Sequence, residues 1–333
     1  MRTLILTFFI LLSSGLRAPS ARAEVGLNPN APVPQPGNMG PLALPTLPNE
    51  DPVIASGAKG RGRLSIEGSL ITSFSSNGED LSVAPYMRVY VPFYPGVALT
   101  YDYVMYEHWR TGEATRIKNG AYDRRGGVQG DMRAGAIFYL KSETENIPAV
   151  GLRIVVKTTT GKDFRNHRFL DAPGYYFDIL MGKNVYESKS RDALLTKIRI
   201  LGTLGFFAWQ QGAAEQDDAL DYGATSVFEF RDGTKFSLEF RGYTAYQDQD
   251  DPMLLSVKYT HPGRKMDWVT SVDKGLTEDA LDYKVISGVA MHWDTGVVPG
   301  SYKRPLNLRQ LGASIRSGLS RISGRMRGSQ IDH

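Results

Sequence analysis

Residues 235–243 read Lys-Phe-Ser-Leu-Glu-Phe-Arg-Gly-Tyr, and their order decides the fold. Phe236, Leu238 and Phe240 fall on one parity, and Lys235, Ser237, Glu239, Arg241 and Tyr243 on the other. Successive side chains of a strand point to opposite faces, so this period of two is a strand with one apolar and one polar face. The same alternation recurs in 131–140, where Met132, Ala134, Ala136, Phe138 and Leu140 oppose Arg133, Gly135, Ile137 and Tyr139. It returns in 150–157, where Val150, Leu152, Ile154 and Val156 oppose Arg153 and Lys157.

Twelve such segments are predicted: 62–74, 82–93, 97–108, 131–140, 148–158, 174–186, 194–210, 221–230, 235–246, 252–260, 265–274 and 281–293, with no sustained helical period among them. Most reach the roughly 9–11 residues that a tilted strand needs to cross a bilayer, whereas soluble strands average about 5–6. The even-numbered connections are short, and three carry turn dipeptides, Pro95-Gly96, Asp232-Gly233 and Pro262-Gly263. The first, third, fifth and seventh are longer, the seventh at about ten residues from 211 to 220. Short turns on one rim and long loops on the other fit an all-β, antiparallel, closed transmembrane barrel of about 12 strands, with short periplasmic turns and longer extracellular loops. Closure follows from the solvent, because hydrocarbon satisfies no unpaired N–H or C=O of an open sheet edge. The last segment alternates through Tyr283, Val285, Val289 and Met291 to Trp293, similar to the terminal strand of outer-membrane proteins.

The flanks differ from this body. Residues 1–23 have the anatomy of a signal peptide: Arg2, the apolar run Leu4 to Leu12, and Ala21-Arg22-Ala23 before a cleavage point. Residues 24–60 hold eight prolines and are predicted to be a periplasmic linker without a core. In the tail, 294–333, Leu308, Leu311, Ile315, Leu319, Ile322 and Met326 share a helical face, with arginines between them. This amphipathic pattern points to a periplasmic partner or an anionic lipid surface; four glycines, Gly312, Gly318, Gly324 and Gly328, weaken any helix there.

Composition narrows the function. The chain has 333 residues, no cysteine and a net charge of +4. Disulfides, thiolate catalysis and thiolate metal sites are thereby excluded, and so small a charge gives no reason to expect nucleic acid. The leader carries three arginines and no acid, and the tail seven basic residues against Asp294 and Asp332, so the remaining chain carries −4. A mean hydropathy of −0.28 speaks against a bundle of membrane helices but not against a barrel.

If the apolar parity meets lipid, the polar parity lines the interior. The predicted pore-lining set is Arg88, Asp102, Arg133, Arg153, Lys157, Asp178, Arg199, Glu229, Glu239, Arg241 and Lys258, accompanied by Arg63, Glu67, Lys235, Asp267, Asp273 and Lys284. Such charges either brace the wall as ion pairs or set a transverse field for polar solutes. The basic loop residues Arg110, Arg116, Lys118, Arg124, Arg125, Lys162, Arg165 and Arg168 suit lipopolysaccharide phosphates. Five histidines, His108, His167, His261, His292 and His333, show no metal-ligand spacing, and Asn166-His167 has no serine following it, so neither an enzyme nor a cofactor is expected.

The stretches 131–140, 150–161, 174–186 and 236–247 together resemble the outer-membrane proteins of phenol meta-cleavage pathways and the transporters related to them. The resemblance rests on the Leu152 to Gly161 stretch and on Arg241-Gly242-Tyr243, and covers roughly residues 60–293. It implies an outer-membrane barrel admitting small molecules, aromatic or otherwise hydrophobic. The alternatives are a closed structural barrel engaging an envelope partner through its tail, and a lipid-modifying barrel enzyme.

Overall fold

The computed structural model describes residues 63–94, 96–119, 121–161, 166, 173–190, 192–211, 215–245, 252–263, 266–277 and 282–294. The signal and linker expected at 1–23 and 24–60 lie outside them, as does the tail expected at 294–333 apart from Asp294, together with Lys162, Arg165, His167 and Arg168.

Fourteen strand segments make one antiparallel sheet: β1 (Arg63–Phe74), β2 (Leu81–Tyr94), β3 (Val97–Val104), β4 (Glu107–Arg110), β5 (Arg125–Val128), β6 (Met132–Lys141), β7 (Ala149–Lys157), β8 (Gly174–Glu187), β9 (Leu195–Gln211), β10 (Glu215–Phe230), β11 (Lys235–Ala245), β12 (Met253–His261), β13 (Met266–Gly275) and β14 (Tyr283–Asp294). β1 pairs with β14 on one side and β2 on the other, so the sheet closes on itself. β4 prolongs β3 along β2, and β5 precedes β6, which leaves twelve strands in the wall, as the alternation predicted.

The outside is apolar. On β8, Tyr175, Phe177, Ile179 and Met181 are each at least 41% exposed, while Tyr176, Asp178 and Leu180 between them are at most 3% exposed. β11 repeats this, with Phe236 and Leu238 out and Ser237, Glu239 and Arg241 in. Each such residue left in water would forfeit about 1.5–3 kcal/mol of burial energy. A belt of them around a closed sheet is therefore stable only in a bilayer. Tyr94, Tyr186, Trp268 and Trp293 crown the belt near the short-turn rim, and Phe74, stacked on Tyr283 at 5.4 Å, and Tyr175 near the other. Aromatic rings of this kind sit at the two interfaces of outer-membrane barrels.

Two connections differ from expectation. The third is no plain loop: β4 and β5 extend the wall as a hairpin and carry the short helix α1 (Glu113–Asn119) at its tip. Met105 and Tyr106 both face outward, so the alternation slips by one residue where β3 passes into β4. The hairpin is tied to the β1–β2 connection, where Asp80 accepts hydrogen bonds from Gly112 N at 2.7 Å and Thr115 Oγ1 at 2.9 Å. The seventh connection shrinks to 212–214, because residues 215–220 keep pairing with 206–211 instead of leaving the sheet. On the short-turn rim, Gly233 adopts a φ of +82°, the left-handed turn conformation that glycine reaches without a Cβ clash.

Candidate functional site

The inward parity of the wall holds the chemistry. Glu67, Arg88, Asp102, Arg133 and Lys157 stand directly opposite one another on β1, β2, β3, β6 and β7, a transverse row of acid, base, acid, base, base. Arg88 Nε lies 2.9 Å from Asp102 Oδ1 and its Nη1 3.9 Å from Glu67 Oε2, while the Tyr86 hydroxyl donates to Asp102 at 2.6 Å. Lys157 Nζ reaches back 2.7 Å to Asp131, just before β6, and the Arg133 guanidinium stands 5.3 Å from the Tyr176 ring centre.

A second row crosses β7 to β11 as Arg153, Asp178, Gly205, Asp221 and Tyr243. Arg153 Nε meets Asp178 Oδ2 at 2.5 Å. The Oδ1 atoms of Asp178 and Asp221 both crowd the space over Gly205, where any Cβ would collide with them. Tyr176 and Phe207 stack at 4.6 Å and Phe207 meets Tyr243 edge-on at 5.4 Å, an aromatic trio beside the two carboxyl groups.

Two further groups complete the interior. Arg241 pairs with Asp273 at 2.9 Å and Glu239 at 3.5 Å, and Lys284 pairs with the same Asp273 at 2.9 Å; Ser256 also donates to Asp273. Nearer the short-turn rim, Arg199 Nη1 donates to Glu143 Oε2 at 2.5 Å and Asn184 Oδ1 at 2.7 Å. Glu143 comes from the turn 142–148, which Lys183 and Asn184 hold against β8 through Thr144, Glu145 and Glu143 itself.

Each member of the predicted set occupies an inward register position. Asp102, Arg133, Arg153, Lys157, Asp178, Arg199, Glu239 and Arg241 are buried, and Arg88, Glu229 and Lys258 are half-buried. Of their companions, Glu67, Lys235, Asp267, Asp273 and Lys284 share that face, and the Arg63 side chain lies outside the described residues. The set omitted Asp221 and Glu107. Asp221 opens the run Asp221, Gly223, Thr225, Val227, Glu229 at every second position, a signal that was present. Glu107, fully buried and bonded by the Ser82 hydroxyl, is hidden by the slip at Met105–Tyr106.

The interior is not purely polar. Tyr90, Ala98, Ile137, Leu180, Leu201 and Val227 form one apolar cluster within the barrel, with Tyr139 against it. Ile71, Ala84, Tyr86, Val104, Trp109 and Val128 form a second.

The described histidines do not assemble catalytic machinery. His108 is exposed beside Tyr106, and His261 Nδ1 lies 3.1 Å from Thr234 Oγ1 in a turn. His292 Nε2 contacts Asp267 at 3.0 Å and stands opposite Ser65, yet its Nδ1 is unpartnered, so Ser65 has no base engaged. Among the described residues no three His, Asp or Glu side chains gather as a metal site.

No protein-family model and no curated protein matches the chain. Solved structures do. A crystallised outer-membrane channel of Pseudomonas putida F1 is 10% identical, with a TM-score of 0.52 over 71% of this chain and 97% of that one. The KdgM porin is 9% identical, with a TM-score of 0.43 over 69% and 99% of the two chains. Outer membrane phospholipase A from Escherichia coli is 11% identical, at 0.28 over 73% and 97%. The likeness to the channel is one of fold. An apolar outside on a closed sheet needs a bilayer, and the bilayer whose proteins have this architecture is the bacterial outer membrane. The chain is an outer-membrane β-barrel.

Proposed function

We propose that the barrel gives small molecules passive passage across the outer membrane. The observation that carries this reading is the transverse charge row Glu67, Arg88, Asp102, Arg133 and Lys157, which alternates acid and base from β1 to β3 and ends in two bases on β6 and β7. Charges of both signs fixed along a low-dielectric wall orient a polar solute. On this reading Arg88, Asp102, Arg133, Arg153, Lys157, Asp178, Arg199, Glu229, Glu239, Arg241 and Lys258 line the path. The stacked Tyr176 and Phe207, together with the two apolar clusters, support an aromatic or hydrophobic solute, the class implied by the resemblance to phenol meta-cleavage proteins. Exposed Arg124 and Arg125 on the long-loop rim suit lipopolysaccharide phosphates.

Planar-bilayer conductance and liposome-swelling flux of the refolded protein test this function. Conductance together with flux of small solutes is the expected result, and a silent bilayer with no swelling overturns it. One observation favours a second reading, a closed structural barrel: the buried pairing of Arg241, Asp273 and Lys284 braces the wall. Under that reading, deleting 295–333 abolishes binding to an envelope partner and leaves barrel heat-modifiability intact.

A further inference from the structure

Four of the buried polar side-chain atoms without a hydrogen-bond partner lie on two adjoining strands. They are Arg199 Nε, Arg199 Nη2 and Thr203 Oγ1 on β9, and Thr225 Oγ1 on β10. Native interiors leave few such atoms, because a buried donor or acceptor without a partner forfeits its hydration. On the adjoining wall, β11 to β14, Arg241, Glu239, Asp273, Lys284 and Ser256 answer one another.

Arg199 is the most specific member of the stripe. Its Nη1 is anchored by Glu143 and Asn184, which fixes the plane of the guanidinium. Nε and Nη2 together form the side-on edge of that plane, two parallel N–H donors at the spacing of two carboxylate oxygens. Both are unpartnered, in a residue only 2% exposed. Val227 stands directly opposite Arg199 in the sheet, and Leu201 follows it on the same face; both belong to the apolar cluster with Leu180, Ile137 and Tyr90. A fixed fork beside an apolar surface matches a small amphipathic anion, with its carboxylate on the fork and its body against the cluster.

We propose that Arg199 is a luminal binding site for the carboxylate of a small apolar carboxylic acid. The inference rests on the passage reading and gives it a solute class. Glu143 already places a carboxylate against this guanidinium, at Nη1, from the turn 142–148. That turn borders the short-turn side of the site and holds the guanidinium in place. Beyond Arg199, Thr203 and Thr225 place their hydroxyls on the same inner wall, between the fork and the Asp178–Asp221 pair.

The test measures binding, not flux, on the full barrel folded in zwitterionic nanodiscs, with empty nanodiscs subtracted. Calorimetric titration with hexanoate and with hexanamide compares a carboxylate with its neutral isostere. Hexanoate is expected to bind at least about tenfold tighter, and Arg199→Lys, which keeps the charge but loses the planar fork, is expected to erase that preference. The Arg199 Nε–H resonance of the wild-type protein reports directly, and is expected to shift on saturation with hexanoate. Equal affinity for acid and amide, an unmoved Nε–H resonance, or an unchanged preference in a folded Arg199→Lys barrel overturns the proposal. Because binding is read without transport, a silent bilayer with intact hexanoate binding removes the passage reading and leaves the site. Flux without a carboxylate preference removes the site and leaves passage.

Discussion

Asp178 and Asp221 bring their Oδ1 atoms together over Gly205, which stands directly opposite both of them on the intervening strand. Only a residue without a Cβ fits beneath two side chains that close. Gly205→Ala is therefore expected to destabilise the barrel by about 1–3 kcal/mol, the usual range for overpacking a filled interior. Gly202, on the same strand, has no neighbour closer than 4.0 Å to a would-be Cβ, so Gly202→Ala serves as the comparison and is expected to change little. Urea unfolding in lipid vesicles measures both.

Asp273 is the hub of the braced wall, receiving Arg241, Lys284 and Ser256 at once. Asp273→Ala takes the ion-pair partner from buried Lys284 and leaves buried Arg241 only Glu239, and is expected to cost about 3–5 kcal/mol. The heat-modifiable folded band on gels should move to lower temperature. A folded band as heat-resistant as that of the wild type would show that the cations find other partners.

Depth governs the outer face. Ile179 lies midway along β8 and faces outward between Leu152 and Leu204 of the neighbouring strands, while Tyr175 faces outward near the long-loop end of the same strand. Ile179→Arg is expected to cost about 2–4 kcal/mol and Tyr175→Arg about 1 kcal/mol or less, since a guanidinium near the interface reaches water. Equal costs at the two positions would contradict the bilayer placement.

Outside the membrane, Asp282 clamps the β1–β2 connection by accepting hydrogen bonds from Ser76 N at 2.7 Å and Ser76 Oγ at 2.8 Å. The backbone bond from Ser76 and then its hydroxyl hold the Asp282 carboxyl below its ordinary value, with Lys274 assisting. A depressed carboxyl pKa contributes stability that is present above the unfolded value and is lost as pH falls through the folded one. The clamp is thus expected to be intact at neutral pH and to release only below the usual aspartate range. Carboxyl-carbon NMR titration of Asp282 checks the sign, and a midpoint at or above the ordinary aspartate value would contradict it.

The alternation of 235–243 sufficed to place Glu239 and Arg241 inside and Phe236 and Leu238 outside, and both parities are as the order of residues predicts. The same local rule placed the whole predicted lining set on the inward face, since the pleat ties every second side chain to one side. It failed where the pleat itself is broken. The slip at Met105–Tyr106 hid Glu107, and residues 215–220 read as part of a loop although their backbone pairs with 206–211. Polar residues do not break a ladder, because its hydrogen bonds are made by the backbone.

The order of residues by itself pointed to a closed barrel of about twelve strands, because segments of bilayer-crossing length, short and long connections on alternate rims and an aromatic last segment accompany the period of two; that the apolar parity lies outside was decided by the tertiary structure. Which charges meet was decided only in three dimensions. Asp178 and Asp221 are separated along the chain by two connections and a whole strand, and Arg199 finds Glu143 in a turn three connections earlier. Those meetings depend on the register between strands and on closure of the sheet, both set by long-range pairing, and that pairing leaves the Nε and Nη2 edge of Arg199 unanswered.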